Sequence, residues 1–282
     1  DSVEKSGMCF GNRTQRTSPF EVAFRVACLN ITAHMKRIIS FFAFLILAAG
    51  VFAEDTRCYE LRIYTAAEGK LEALNARFRD HTCALFEKHG LTNIGYWVPL
   101  DAKDNRLIYV ISSPNRAAHA KSFEAFLNDP DWKKAYAAST KNGRLVAKIE
   151  STFLSAVDYS PAVKAGKVKG KRVFELRTYV TAENRLKNLH ARFRDHTCAL
   201  FEKHGMTNIA YWTPMDVNKG KANTLTYIIS HKSKKQAGKN WQGFIGDADW
   251  KKARAASVKD GKILAQRPAS TYMKAVDYSP IK

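Results

Sequence analysis

His81 and His196 sit in the middle of an apolar stripe. On a helix, Leu74, Phe78, His81 and Leu85 step by four, three and four residues and share one face; Leu189, Phe193, His196 and Leu200 repeat the pattern. An imidazole in a buried stripe needs a hydrogen-bond partner or a cavity. Facing a cavity, it can serve as general base, ligand-orienting group or haem ligand, although nothing else in the chain marks a haem site. Satisfied within the core, it does no chemistry. His81 and His196 are the candidate catalytic residues.

A second polar set alternates along an extended stretch. Glu60, Arg62 and Tyr64 fall on one face of CYELRIY, with Tyr59, Leu61 and Ile63 on the other; Glu175, Arg177 and Tyr179 repeat the set in FELRTY. Charges on a central strand facing a barrel need one another. Either they hold two sheets in register, or the arginine grips an anionic ligand bidentately. Trp97 and Trp212 point to the face opposite Tyr96 and Tyr211, as core residues or as a substrate platform. Arg62, Arg177, Tyr64, Tyr179, Trp97 and Trp212 are the candidate ligand-binding residues. His89 and His204 each precede a glycine at a helix end, where histidine interacts well with the helix dipole. Asp80 and Asp195, with Arg77, Arg79, Arg192 and Arg194 nearby, read as surface ion pairs. Cys83 and Cys198 read as small apolar fillers. No Ser-His-Asp spacing, glycine-rich phosphate loop, HExxH, EF-hand or CxxC pattern appears, so neither a metal nor a cofactor is expected.

These side chains belong to a repeated unit. ARFRDHTCALFEKHG occupies 76–90 and returns unchanged at 191–205. Segments 59–101 and 174–216 align without a gap and agree at 30 of 43 positions. The likeness continues in LNDPDWKKAYAAS (127–139) against IGDADWKKARAAS (245–257), and VDYSP closes both halves at 157–161 and 276–280. In the first unit the strand at 58–64 is followed by helical periodicity over 68–89, closed by Gly90. Strands follow at 93–98 and 107–112. A helical region holding Phe123 and Phe126 restarts at Asp129-Pro130, a cap and an N1 proline. Trp132 and Trp250 anchor that restarted helix to the sheet, and a last strand lies near 151–157. The order β-α-β-β-α-β is ferredoxin-like, with helices on one face of the sheet. The bare faces of two such sheets can pack together. The expected fold class is α+β: two tandem ferredoxin-like domains forming a pseudo-dimeric α+β barrel.

The chain has 282 residues and carries 46 Lys+Arg against 26 Asp+Glu, a net charge of +20. That balance favours acidic partners or anionic surfaces. The basic residues are scattered without aromatic interleaving, so nucleic acid is not an expected partner. Met35-Lys36-Arg37 precede an apolar run at 38–48 and then AGVFA, with Val51 and Ala53 at −3 and −1 of a cleavage site. This is the layout of a secretory signal peptide, too short for a comfortable membrane span. The expected organisation is an upstream extension foreign to the native protein at 1–34, a signal peptide at 35–53, domain one at 54–161, a small basic linker at 162–170, and domain two at 171–282. The protein is expected to be secreted or periplasmic, with no stable membrane anchor after cleavage. The remaining Cys58, Cys83 and Cys198 are too few for a disulfide framework.

YELRIY, RFRDHT, FEKHG, YW-P and NDPDW, in that order and answered in the second half, resemble the NIPSNAP family over 54–282. The resemblance implies the dimeric α+β barrel superfamily, whose ligand-binding members hold their pocket between helix and sheet. It implies no settled activity, since the wider superfamily includes cofactor-free monooxygenases, small-ring isomerases and haem proteins. The family's animal members are associated with mitochondria, and the secretory-type signal departs from them. Three functions stand as expectations. One is an exported protein binding a small hydrophobic or aromatic molecule between helix and sheet. Another is a cofactor-free enzyme of monooxygenase or isomerase type. The third is a basic interaction module for an anionic partner. The two halves should pair with each other, with further oligomerisation open.

Overall fold

The first strand shows why the sheet closes on itself. In the computed structural model, which describes residues 55–163 and 171–282, β1 (Cys58–Ala66) sends Tyr59, Leu61 and Ile63 into one apolar cluster and Tyr64 and Ala66 into another. The upstream extension, the signal peptide and most of the linker lie outside the described residues. A strand apolar on one face and mixed on the other needs a second sheet on the first side and helices on the second.

Copy one continues with helix α1, built of Leu71–Arg77, a π-helical Phe78–Thr82 and Cys83–Lys88. Then come β2 (Thr92–Pro99), β3 (Arg106–Ser113), α2 (Arg116–Asn128), α3 (Pro130–Thr140) and β4 (Val146–Ala156). Copy two repeats the order: β5 (Val173–Val180); α4, with segments Leu186–Arg192, Phe193–Thr197 and Cys198–Lys203; β6 (Thr207–Pro214); β7 (Thr224–His231); α5 (Lys234–Gly246); α6 (Ala248–Ser257); and β8 (Ala269–Ala275). The caps sit where the sequence asks for them. Asp129 accepts from the Asp131 amide at 2.8 Å, and Asp247 from the Asp249 amide at 2.8 Å.

The strands form a closed barrel in the order β1-β3-β2-β8-β5-β7-β6-β4, every pairing antiparallel. Each copy supplies one four-stranded ferredoxin-like sheet. The seams between copies are short: Trp97–Pro99 against Met273–Ala275, and Leu154–Ala156 against Trp212–Pro214. Closure removes the edges that an open sheet would expose. The interior is packed with side chains, as an eight-stranded barrel allows, with Tyr59, Trp97, Leu154, Phe174, Trp212 and Met273 at its centre. The VDYSP tails add a second tie, each reaching into the other copy. Tyr278 Oη donates to Asn75 Oδ1 at 2.8 Å, and the Tyr159 hydroxyl lies 2.8 Å from His190 Nδ1. Arg79 pairs with Asp277 at 3.0 Å and Arg194 with Asp158 at 2.8 Å.

The π turn alters the reading of α1. A single added residue per turn rotates everything after it relative to an α-helix. Thr82, 1% exposed, takes the inward place that a regular helix gives to His81, and His81 lies on the solvent face; Thr197 and His196 repeat this. Thr82 Oγ1 donates to the Arg77 carbonyl at 3.2 Å, and Thr197 Oγ1 to the Arg192 carbonyl at 3.0 Å. These bonds help satisfy carbonyls at the altered turn. The expectation that His81 and His196 occupy the buried stripe is corrected accordingly.

Candidate functional site

Between each sheet and its helices lie a buried polar ladder and, beside it, a cavity. The ladder is the outward row of the first strand. In copy one, Arg62 Nη1 donates to Glu60 Oε1 at 2.6 Å and Nη2 to Tyr64 Oη at 2.9 Å. Ser151 Oγ, on the neighbouring β4, donates to the same Glu60 oxygen at 2.5 Å. His119 of α2 brings Nε2 to 3.0 Å from Glu60 Oε2, off the line of a good hydrogen bond, and stacks on Phe123. Glu60 is 1% exposed. Burial works to raise its pKa, but His119, Arg62 and Ser151 outweigh it and hold the carboxyl below its ordinary value.

Copy two builds the same ladder from different neighbours. Arg177 donates to Glu175 at 2.5 Å and to Tyr179 Oη at 3.3 Å, and Ser270 donates to Glu175 at 2.6 Å. The imidazole now comes from the strand: His231, at the β7 position that Ser113 holds in β3, places Nε2 3.1 Å from Glu175 Oε2. The position of His119 is taken by Ala237, and that of Phe123 by Trp241, whose indole N–H donates to Glu175 Oε2 at 2.8 Å. Burial again opposes ionisation, but with His231, Arg177, Ser270 and Trp241 around it the Glu175 pKa falls to about 2.

The copy-one cavity, about 470 Å³, has aromatic walls: Phe78 and Phe86 from α1, Phe123 and Phe126 from α2, Trp132 and Tyr136 from α3. That volume lies in the range of small-molecule sites, roughly 300–1,000 Å³. Its charged lining is cationic, with Arg62, Arg77, Arg144 and Lys148 and no carboxylate. The copy-two cavity occupies the corresponding place and is smaller, about 320 Å³. Arg254 stands there where copy one has Tyr136, and Lys262 where it has Arg144. Pro268 takes the place of Ile149 and cannot donate to the ladder, so β8 begins at Ala269 whereas β4 begins at Val146.

The structure separates the candidate residues into three places. Arg62 and Tyr64 line the copy-one cavity and Tyr179 lines the copy-two cavity, while Arg177 is held in the ladder, its guanidinium 4.4 Å from the Trp241 ring centroid. These charges face the helices rather than the barrel interior, because Leu61 and Leu176 take the inward positions. Trp97 and Trp212 are fully buried in the barrel core, on the other side of the sheet from both cavities. His81 lines an outer groove, with Asp131 and Lys134 of α3. His89 and His204 do terminate their helices, and each also binds the N-cap of the last helix of its copy: His89 Nε2 is 2.7 Å from Asp129 and His204 Nε2 2.7 Å from Asp247. Burial raises the thiol pKa of Cys83 to about 12 and of Cys198 to about 11, in line with inert fillers.

Sequence reasoning passed over four residues that matter here. Arg77 and Arg192 read as surface charges but are 5% and 6% exposed and line the cavities. His119 and His231 carry no repeat signature because they occupy non-equivalent positions; only the ladder they serve is repeated. A usable signal was present for the arginines, since both directly precede the buried Phe78 and Phe193 and lie three residues after Leu74 and Leu189. Among the described residues, no group of three or more His, Cys, Asp or Glu side chains is placed to hold a metal ion, and no helix is long and apolar enough to cross a membrane.

The chain is similar to several solved structures. A crystallised anthrone oxidase-like protein superposes with a TM-score of 0.53 at 11% identity, over 79% of this chain and 93% of its own. A NIPSNAP family protein from Agrobacterium tumefaciens str. C58 is 21% identical over 38% of this chain and 98% of its own, with a TM-score of 0.34. A NIPSNAP domain protein from Burkholderia xenovorans is 18% identical over 37% of this chain and 98% of its own, with a TM-score of 0.33. No curated protein matches the chain in sequence. Residues 59–161 and 174–280 each match the NIPSNAP sequence profile. The chain therefore belongs to the NIPSNAP family, with two tandem copies of its domain closing one α+β barrel.

Proposed function

We propose that the helix–sheet cavities bind small hydrophobic or aromatic molecules, with the copy-one cavity as the principal site. The observation that carries this reading is the aromatic enclosure of about 470 Å³ between α1, α2, α3 and the sheet. Six aromatic side chains from three helices line it, a concentration of apolar surface around a few polar groups that suits a ligand site. The neighbouring Glu60 and Glu175 are occupied by their own arginine, serine and histidine partners. That occupation favours binding over proton transfer, so the cofactor-free enzyme reading ranks second. The third reading, an anionic partner on the outer surface, is supported by the net charge of +20. Binding of that kind weakens steeply with salt. We also propose export through the segment 35–53, which the mass of the processed chain checks: a mature protein starting at Glu54 is expected, and an uncleaved one contradicts it.

The test is a fluorescence titration with the neutral probe N-phenyl-1-naphthylamine. Ala147 lines the copy-one cavity. Ala147→Trp is expected to remove saturable probe binding at that site while leaving the unfolding transition in place. Absence of saturable binding to the wild-type protein, or binding unchanged by Ala147→Trp, would contradict the proposal.

A further inference from the structure

Arg77 and Arg192 are the exceptions among the arginines buried between helix and sheet. Arg62 and Arg177 each hold a carboxylate, at 2.6 and 2.5 Å. Arg77 and Arg192 are as deeply placed, yet among the described residues neither has a salt-bridge partner. The groups that favour the charge on Arg77 are tyrosines: Tyr64, Tyr136 and Tyr109. Arg192 has Tyr179 and Tyr227 in that role, with Arg254 opposing. Burial is the largest influence on both and pulls both pKa values down. The one side-chain hydrogen bond each makes is long, 3.3 Å to Ser139 or Ser257, and both Nε atoms are buried without a partner, as are those of Arg62 and Arg177.

A buried guanidinium without an anion is costly, and a fork of donors left open is costly again. Both copies nevertheless carry it, in the same geometry. Each guanidinium lies 5.3 Å from the centroid of the tryptophan in the first turn of the last helix of its copy, Trp132 or Trp250. Each sits on the last α-helical residue before the π turn. Each lines its cavity, whose other charged side chains are all basic.

We propose that each helix–sheet cavity takes an organic anion, an aromatic or aliphatic body bearing a carboxylate or similar acid group, which Arg77 holds in copy one and Arg192 in copy two. This rests on reading the cavities as ligand sites and specifies the chemistry they select. The guanidinium fork matches the two oxygens of such a group bidentately. The aromatic walls then cover the apolar body. The copy-two cavity, narrower and with Arg254 added, selects a more compact acid.

Two probes with one ring system separate the claims: 8-anilinonaphthalene-1-sulfonate and neutral N-phenyl-1-naphthylamine, which differ only in the sulfonate. The wild-type protein is expected to bind the sulfonate at least about tenfold more tightly. The double variant Arg77→Met/Arg192→Met, which keeps the apolar stems, is expected to bind both equally. It should also unfold at a higher temperature than wild type without probe, because an unpaired buried charge is gone. Equal affinities in wild type, a sulfonate preference that survives the double substitution, or a variant less stable than wild type would each overturn the inference. Failure of both probes to bind would instead overturn the ligand-site reading on which it rests.

Discussion

The two copies keep the same buried ladder with different neighbours. Copy one reaches Glu60 with a helix-borne His119 and sets Phe123 beside it; copy two reaches Glu175 with a strand-borne His231 and adds the Trp241 indole. The imidazole has moved from one element to another and still approaches the same carboxylate oxygen. The lesson is that the ladder demands donors around a buried glutamate and is indifferent to which element delivers them. The cavities diverge on the same line. Copy one stays roomy and aromatic, while copy two, with Arg254 in place of Tyr136 and the proline-shortened β8, is smaller.

The largest expected effect comes from deleting the carboxylates. Glu175→Ala strands Arg177, His231, Ser270 and the Trp241 N–H in a buried layer and is expected to cost about 3–5 kcal/mol in urea unfolding. Glu60→Ala should cost less, because Glu60 has fewer well-aligned partners. Equal losses would break the comparison.

Acid unfolding is the next lever. Folding lowers the Glu175 pKa from 4.5 to about 2. Its contribution is therefore full above pH 4.5 and is lost as the pH falls toward 2, on the order of 3 kcal/mol in all. Glu175→Gln should flatten stability across that window. A variant with the wild-type acid slope would contradict the assignment.

The exchanged histidine offers a finer test. His119→Ala is expected to destabilise by about 1–3 kcal/mol. Adding Ser113→His, which copies the arrangement of copy two, should recover part of that loss. A double variant no more stable than His119→Ala would mean the two imidazoles are not interchangeable; the double-mutant cycle measures the coupling.

Smallest of all are His81→Ala and His196→Ala. Both side chains are exposed, so each change should stay within about 0.5 kcal/mol and leave N-phenyl-1-naphthylamine binding unaltered. Loss of binding would return function to the outer groove.

The barrel was legible in the sequence because its determinants are periodic. The alternation in CYELRIY set the two strand faces, Asp129-Pro130 marked a helix start, and the doubled VDYSP closed two equal units. The family resemblance pointed to the space between helix and sheet, where the two cavities lie. The residues in it were less legible. A π turn has no compositional signature, yet one added residue moved His81 out and Thr82 in. Arg77 and Arg192 carry charges that ordinarily remain in water, so composition argued against their burial. His119 and His231 were invisible to the internal alignment that exposed the rest, because the contact with the buried glutamate is kept and the position is not.

The helix–sheet cavities, as proposed, are ligand sites whose arginines await an acid group. Crystals of the protein soaked with 8-anilinonaphthalene-1-sulfonate test it most directly. The account predicts electron density for the ring system among Phe86, Phe123 and Trp132, with the sulfonate against the Arg77 guanidinium. Density confined to the outer groove beside His81, or empty cavities at saturating probe, would contradict it.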